Sequence, residues 1–307
     1  MLPALAVVAA AVLFGTTGTA QALGPDGTTP LGVGAMRLVV GGLALAALGF
    51  GVAARRRRRT VAPPSPPLTR RTIGLMALTG ICLAAYQPLF FLGTERSGVA
   101  VGTVIALGSA PVLAGVLEWA LTRRIPRRSW MAATACALVG VALLASAGTG
   151  GGAADPVGIL GSLGAGAAFA IFANAQRRLM DDGWDPFTVA GAMGLGSAIA
   201  AVPMLPFAPL GWLGTPTGAV MTLWLGLATI AIAYALFTWG LQGLTAATAA
   251  TLTLAEPVTA ALLGILLLGE RLAAPGVVGL VVLAAGLLLL ALGSRSRPAG
   301  RPFAVEG

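Results

Sequence analysis

Residues 257–291 read PVTAALLGILLLGERLAAPGVVGLVVLAAGLLLLA, and residues 111–145 read PVLAGVLEWALTRRIPRRSWMAATACALVGVALLA. The two segments are separated by a constant 146 positions, and the residues that match include Pro111-Val112, Ala114, Leu117, Leu121, Gly140 and Leu143-Leu144-Ala145. Ala, Leu and Gly match often by chance in so biased a sequence, so the proline and the order of the matches carry the argument. The segment therefore predicts an internal repeat.

The composition is that of a membrane protein. Hydrophobic residues make up 57% of the 307 residues and charged residues 9%, whereas a soluble domain is about 45–50% apolar and about 25% charged. Apolar runs of about 18 residues or more, long enough to cross a hydrocarbon core, recur along the chain. These runs are continuous rather than alternating, which argues against a spanning β-barrel.

The runs predict an all-α membrane protein with about ten transmembrane helices, divided by Pro, Gly and charged residues. Ala20-Gln21-Ala22 has the shape of a signal-peptidase site, but no basic residue precedes the first apolar run, so that run is predicted to remain a helix. The predicted spans are residues 2–23, 31–53, 72–93, 97–121, 129–148, 156–179, 186–208, 216–241, 244–268 and 275–293.

The arginines predict the orientation of these helices. The net charge is +9, and all 19 basic residues are arginine. Sixteen of them fall on one side of a ten-span chain, Arg96 and Arg271 fall on the other, and Arg37 lies inside a span. Because cytoplasmic loops carry the excess of basic residues, both termini are predicted to be cytoplasmic. The run from Arg55 to Arg59 is interpreted as an anchor that touches anionic headgroups, so no nucleic-acid partner is expected.

The two halves also match elsewhere. Phe14 in span one corresponds to Phe169 in span six, and Tyr86 in span three corresponds to Tyr234 in span eight. Five spans per repeat is an odd number, so the halves are predicted to be inverted relative to each other, as in many secondary transporters. The predicted division is a first repeat at 1–150, a second repeat at 151–295 and a cytoplasmic tail at 296–307.

Glu256-Pro257-Val258, the run Leu267-Leu268-Gly269-Glu270-Arg271-Leu272, and Gly279 and Gly286 after it together resemble the EamA type of the drug/metabolite transporter superfamily. The resemblance covers residues 2–293 and implies two five-helix repeats and a metabolite or drug exporter of the inner membrane. The first repeat departs from the pattern, with Ala110 before Pro111 and Thr122-Arg123-Arg124 in place of Gly-Glu-Arg. The second repeat is therefore expected to carry the charge chemistry.

Glu256 is the first candidate functional residue, since an ionisable group inside a span costs about 2.5–3.5 kcal/mol on insertion scales. It lies near the middle of span nine and directly before Pro257. Proline removes a backbone N–H and clashes with the carbonyl four residues earlier, so helix kinks are predicted at Pro257 and at its counterpart Pro111. Glu256 is predicted to bind substrate and, if protons drive transport, to carry them, because burial favours the neutral carboxyl form. The alternative is that Glu256 only ties helices together.

Arg37 is the second ionisable candidate, and Gly194 occupies its place in the second repeat. Arg37 is predicted either to bind a substrate carboxylate or to neutralise Glu256. The alternative is that it reaches the membrane interface. An amphipathic substrate also needs polar groups among aromatic walls, and the candidates for these are Tyr86, Gln87, Asn174, Tyr234, Thr238 and Trp239.

The leading prediction is a secondary transporter that exports a small metabolite, an amino acid or a drug-like compound by alternating access. An importer or a facilitative carrier of the same fold remains the alternative. The chain has no histidine and no phosphate-binding motif, so a membrane-embedded enzyme, a metal site, a cofactor and ATP drive are not expected. The expected partners are a small-molecule substrate and the bilayer, with a monomer favoured.

Overall fold

The structure is a computed structural model that describes residues 1–59, 66–146, 155–269, 271 and 273–293. These described residues hold ten helices that are long and apolar enough to cross a membrane, and they form no strand. The helices are α1 (Leu2–Ala22), α2 (Pro30–Arg59), α3 (Arg70–Ser97), α4 (Val99–Thr122), α5 (Arg128–Ser146), α6 (Pro156–Asp181), α7 (Pro186–Ala201), α8 (Pro216–Leu241), α9 (Ala246–Leu268) and α10 (Ala274–Gly293).

The predicted fold class is confirmed, and most helix ends fall within a few residues of the predictions. The two largest differences are at α7, which was predicted to end at residue 208 but gives way to a 3-10 helix after Ala201, and at α2, which was predicted to end at residue 53 and continues to Arg59. Arginine is a good helix former, and cations are favoured at a helix C-terminus, so the run from Arg55 to Arg59 extends the helix instead of ending it. The predicted tail at 296–307 lies outside the described residues.

The two repeats pack with exchanged partners. Helix α1 of the first repeat packs on α8 and α9 of the second, and α6 packs on the corresponding α3 and α4 of the first. Likewise, α2 of the first repeat packs on α8 of the second, and its counterpart α7 packs on α3. Two further contacts join equivalent helices of the two repeats, α2 with α7 and α5 with α10. These principal contacts between the repeats thus have counterparts, as expected of an inverted repeat.

The α5–α10 contact shows this symmetry at residue level. A Cβ atom added to Gly140 would lie 2.6 Å from Cα of Leu283, and one added to Gly286 would lie 2.7 Å from the backbone nitrogen of Ala137. Leu283 and Ala137 are themselves 146 positions apart. The offset read from the sequence therefore maps one backbone contact onto the other, with glycine allowing the close approach in both.

Candidate functional site

Helix α9 is interrupted beside Glu256. Its first segment ends at Leu252, its second begins at Ala255, and Thr253 and Leu254 lie between them in turn conformation. The backbone N–H of Glu256 donates to the carbonyl oxygen of Thr253 at 2.9 Å. Glu256 thus lies in the first turn of the second segment, where the helix dipole favours a negative charge.

The two prolines differ in their surroundings. The break in α9 precedes Pro257, which has no N–H to continue the hydrogen-bond ladder. At the equivalent position of the first repeat, α4 runs without interruption through Pro111 from Val99 to Thr122. Since α9 is interrupted and α4 is continuous, the broken helix belongs to the repeat that carries Glu256.

Helix α1 packs directly against this break. A Cβ atom on Gly15 would lie 2.7 Å from the carbonyl oxygen of Glu256 and 2.6 Å from Cβ of Thr259. A glycine is therefore needed for α1 to approach the backbone of α9 at this point.

Four ionisable side chains from both repeats meet beside the break. Arg37 of α2 lies within electrostatic range of Glu256 of α9, Tyr234 of α8 and Tyr86 of α3. The side chains of Arg37, Tyr86 and Glu256 are partly accessible, and Tyr234 is buried. The structure thus brings together four of the eight predicted substrate-binding residues, at the interface between the repeats.

Arg37 and Glu256 do not pair directly. No ion pair of 4.0 Å or less joins them, and the Nε atom of Arg37 is buried without a hydrogen-bond partner among the described residues. The second repeat has no matching cation, since a Cβ atom on Gly194 would lie 2.6 Å from the carbonyl oxygen of Gly42. A buried donor without a partner costs free energy unless a ligand satisfies it.

Aromatic rings border the cluster. Phe14 contacts Tyr234 with ring centroids 4.9 Å apart, and Phe169 contacts Tyr86 at 6.4 Å. Phe172 joins the two sides, because its ring lies 4.6 Å from that of Phe169 and 5.9 Å from that of Tyr234. A solute beside the charged groups would therefore meet an apolar wall, as small-molecule sites usually provide.

The other predicted residues have different surroundings. Gln87 is buried, with its Nε2 atom 3.7 Å from the position of a Cβ atom on Gly34. Asn174 donates to the carbonyl oxygen of Ala114 at 3.2 Å, which ties α6 to α4. These two amides lie at helix contacts.

The hydroxyl of Thr238 also forms a hydrogen bond within the protein. It is buried and donates to Oε1 of Gln176 at 3.0 Å, which ties α8 to α6. Trp239 is partly accessible, and its carbonyl oxygen accepts from Gln242 at 2.8 Å.

Sequence reasoning missed a π-helical segment in α8. Residues 224–232 form it, and it ends directly before the turn that carries Tyr234. Such segments occur frequently at functional sites, where the wider turn changes the direction of the next side chains. No hydrophobic or charge pattern marks it, because every residue in it is compatible with an ordinary α-helix.

Sequence reasoning also counted Arg177 among the loop arginines, whereas it is buried at the end of α6 with 4% of its surface exposed. It donates to the carbonyl oxygens of Leu241 at 2.9 Å and Gln242 at 2.6 Å, and to Asp181 at 2.7 Å. The spacing of Arg177 and Asp181 by four residues on one helix was a signal that could have found this pair.

We call the end of the bundle where α2 finishes with Arg56–Arg59 and α3 begins with Arg70 the arginine-rich end. The turn between α8 and α9 lies at this end and is held from two sides. Arg177 binds the last carbonyls of α8, and Oε2 of Glu118 in α4 accepts the N–H of Ala247 in the first turn of α9 at 3.1 Å. These contacts join α4 and α6 to the turn between α8 and α9, so partly and fully buried polar groups hold this end of the bundle together.

At the opposite end a groove of about 570 Å³ lies between α1, α8 and α9. Its lining includes Thr16, Leu23, Met221 and Leu263, and the indole N–H of Trp224 donates to Oγ1 of Thr16 at 3.0 Å beside it. The two ends of the bundle therefore differ, with polar contacts closing one end and an apolar groove separating helices at the other.

Comparison with known proteins agrees with this architecture. The profile of the EamA-like transporter family matches residues 1–146 and again residues 156–292. The chain is 40% identical over 293 residues to "Uncharacterized transporter YwfM" of Bacillus subtilis (strain 168), covering 95% of each chain. A solved structure titled "Crystal structure of protein" has the same fold, with a TM-score of 0.75, 20% identity, and coverage of 95% of this chain and 97% of that one.

Proposed function

Since the chain belongs to the EamA-like transporter family of the drug/metabolite superfamily, we propose that it is a secondary active transporter working by alternating access. Its substrate is a small metabolite, an amino acid or a drug-like compound, which it exports across the bacterial inner membrane. The observation that carries this proposal is the cluster of Arg37, Tyr86, Tyr234 and Glu256, contributed by both repeats around the break in α9.

In this proposal Arg37 binds a carboxylate or another anionic group of the substrate. Its guanidinium lacks an ion-pair partner within 4.0 Å, and its Nε atom is buried without a hydrogen bond among the described residues. A substrate carboxylate would satisfy this donor and could form two parallel hydrogen bonds with the planar fork. The aromatic rings of Phe14 and Phe169 would contact the apolar part of the same molecule.

Glu256 is the proposed proton carrier. It is the acidic group of the cluster. It lies within electrostatic range of Arg37 but forms no ion pair of 4.0 Å or less with it. In its ionised form Glu256 can hold a cationic group of the substrate beside the carboxylate bound by Arg37, as in an amino acid, and protonation removes that attraction. Export in exchange for protons then requires Glu256 to release its proton on the side where the substrate binds and to take one up on the side where the substrate leaves.

Alternating access requires that one end opens as the other closes. We assign the contacts of Arg177 and Glu118 to the closed state of the arginine-rich end, because they hold the α8–α9 turn against α6 and α4. The break at Thr253 and Leu254 gives α9 a joint at which its first segment can move while the second keeps its contact with α1.

The arginine-rich end is proposed to face the cytoplasm, as basic residues concentrate in cytoplasmic loops. The last turn of α2 alone carries four consecutive arginines from Arg56 to Arg59, and two more begin α3 at Arg70. Both termini would then be cytoplasmic. Cysteine labelling at Asp26 and at Arg58 in intact cells tests the assignment, since only the Asp26→Cys site should react with an impermeant reagent.

The experiment that tests transport begins with finding a ligand. Purified protein is screened with amino acids and metabolites for thermal stabilisation, since a ligand that binds the folded state raises its melting temperature by mass action. Hits are then measured for counterflow in proteoliposomes. Saturable uptake driven by unlabelled substrate inside supports a carrier, whereas flux that rises linearly with concentration and shows no counterflow contradicts it.

A further inference from the structure

A second groove lies at the arginine-rich end, away from the proposed transport site. It has a volume of about 540 Å³ and lies between α2, α3 and α7. Phe50, Ala53, Met76 and Ala192 form its apolar walls, and Arg57 and Trp184 also line it. Arg57 is the charged member among the described residues that line this groove.

The geometry along α2 places charge and apolar surface at different depths. Arg57 lies seven residues after Phe50, which is about 10 Å along the helix axis. On α3, Arg70 precedes Met76 by six residues, again about 9 Å. With the positive groups at the level of lipid headgroups, this spacing lets the apolar walls extend to the level of acyl chains.

Neighbouring contacts leave Arg57 available. Arg56 is engaged elsewhere, with Nη1 3.3 Å from Oδ2 of Asp185 and its guanidinium 5.0 Å from the ring centroid of Phe187. These contacts fix the end of α2 against the start of α7 and so build one wall of the groove. Arg57 itself is exposed and forms no ion pair or hydrogen bond with any residue that the structure describes.

Trp184 adds a second donor that forms no hydrogen bond with the described residues. The residue is packed against Leu179 and Val189 with 6% of its surface exposed, and its indole N–H makes no hydrogen bond within the described part of the chain. Tryptophan at a membrane boundary places its apolar ring toward the acyl chains and its N–H toward polar headgroup atoms. A ligand here would meet an anion-binding guanidinium, an N–H donor and an apolar cleft.

We propose that this groove binds an anionic phospholipid of the surrounding bilayer. Arg57 holds the headgroup phosphate, the indole of Trp184 donates to a headgroup or ester oxygen, and one acyl chain lies between Phe50, Met76 and Ala192. The arginines at the end of α2 and the start of α3 add attraction, since each basic group near an anionic surface contributes about 1 kcal/mol. A zwitterionic lipid would have its phosphate charge offset and would bind more weakly.

The test compares two lipids with identical acyl chains, phosphatidylglycerol and phosphatidylcholine, added to the delipidated full-length protein in detergent. The melting temperature and the number of lipids retained in native mass spectrometry are measured. We expect phosphatidylglycerol to raise the melting temperature more than phosphatidylcholine and to remain bound at higher collision energy. Equal shifts and equal retention for the two lipids would overturn the proposal.

Two pairs of variants locate the site. Arg57→Gln should lose at least half of the extra shift given by phosphatidylglycerol, whereas Arg58→Gln, which removes the same charge one residue away from the groove lining, should retain most of it. Ala54→Trp fills the groove and should reduce lipid retention, whereas Leu48→Trp, at an exposed position of α2 outside the groove, should not. If either variant behaves like its control, the groove is not the site.

An anion without acyl chains tests whether the groove requires the whole lipid or only its phosphate group. Glycerol 3-phosphate at millimolar concentration should give little stabilisation, because it cannot fill the apolar cleft. A shift equal to that of phosphatidylglycerol would overturn the lipid assignment in favour of a soluble phosphate ligand. Should Arg57→Gln fail to fold, the Ala54→Trp and Leu48→Trp pair still decides the question, because both keep every charge.

Discussion

Phe14 of α1 packs on Tyr234 of α8 with ring centroids 4.9 Å apart, and the repeat-related pair Phe169 and Tyr86 packs at 6.4 Å. In each pair the phenylalanine comes from one repeat and the tyrosine from the other. Both tyrosines lie within electrostatic range of Arg37 and Glu256. The repeat symmetry thus builds the walls of the candidate site, and the two charged residues, which have no counterparts, give it polarity.

The close contact at Gly15 should be essential for the geometry of α9. Gly15→Ala adds a Cβ atom 2.7 Å from the carbonyl oxygen of Glu256, so α1 must move away from the break. We expect a lower melting temperature and loss of most counterflow activity.

Gly18→Ala is the matched control on the same helix, because a Cβ atom there meets nothing within 4 Å. It should leave transport unchanged and gain up to about 1 kcal/mol from helix propensity. Equal effects of the two substitutions on flux would contradict the assigned role of the α1–α9 contact.

Arg37 should matter for binding and not for folding. Because it has no ion-pair partner in the described structure, Arg37→Gln is expected to leave the melting temperature unchanged or to raise it. A lost hydrogen bond to a charged ligand costs about 1.5–3 kcal/mol, which is roughly tenfold to a hundredfold in affinity.

The measurement for Arg37 pairs thermal unfolding with ligand-induced stabilisation in the same samples. Arg96→Gln is the control, since its pair with Asp155 is 3.6 Å long and Arg96 is 57% exposed. A strongly destabilised Arg37→Gln that still binds ligand with full affinity would show that the residue is structural.

The buried pair at the end of α6 should stabilise the closed arginine-rich end. The side chains of Arg177 and Asp181 are 5% and 13% exposed, and their closest nitrogen and oxygen atoms are 2.7 Å apart. Asp181→Asn leaves the buried charge of Arg177 poorly compensated and should cost about 3 kcal/mol in the free energy of unfolding. Asp182→Asn removes the exposed pair with Arg178, which is 3.5 Å long, and should cost less than about 1 kcal/mol.

A labelling experiment tests whether the same pair controls opening. In a background lacking Cys82 and Cys136, a cysteine at Ala250, which is fully buried in α9, should react faster with a thiol reagent when combined with Asp181→Asn than with Asp182→Asn. Identical labelling rates would limit the Arg177–Asp181 pair to a structural role.

Much of this architecture follows from the sequence because its physical signals are strong. Apolar runs fix the number of helices, and the offset that aligns Pro111 with Pro257 also relates the contact of Gly140 with Leu283 to that of Gly286 with Ala137. The sequence left open whether Arg37 binds a substrate carboxylate or neutralises Glu256, since sequence spacing carries no information about which faces of distant helices meet.

Other features of the site are invisible in the sequence. Arg177 reads as a loop cation because it follows an apolar run, and only tertiary packing shows that it binds the carbonyl oxygens of Leu241 and Gln242. Asn174 and Thr238 were predicted to bind substrate because they are polar residues within spans. In the structure their side chains donate hydrogen bonds to Ala114 and Gln176. Polar residues in a membrane serve helix contacts as well as ligands, and the sequence does not separate the two uses.

In the proposed mechanism Glu256 couples protons to substrate movement in the site it shares with Arg37. Its most direct test is flux in proteoliposomes that contain Glu256→Gln, measured once with an imposed pH gradient and once as substrate exchange without a gradient. We expect gradient-driven accumulation to be abolished while exchange continues, because the glutamine keeps the shape of the site but cannot carry a proton. Undiminished accumulation that still depends on the gradient would contradict it.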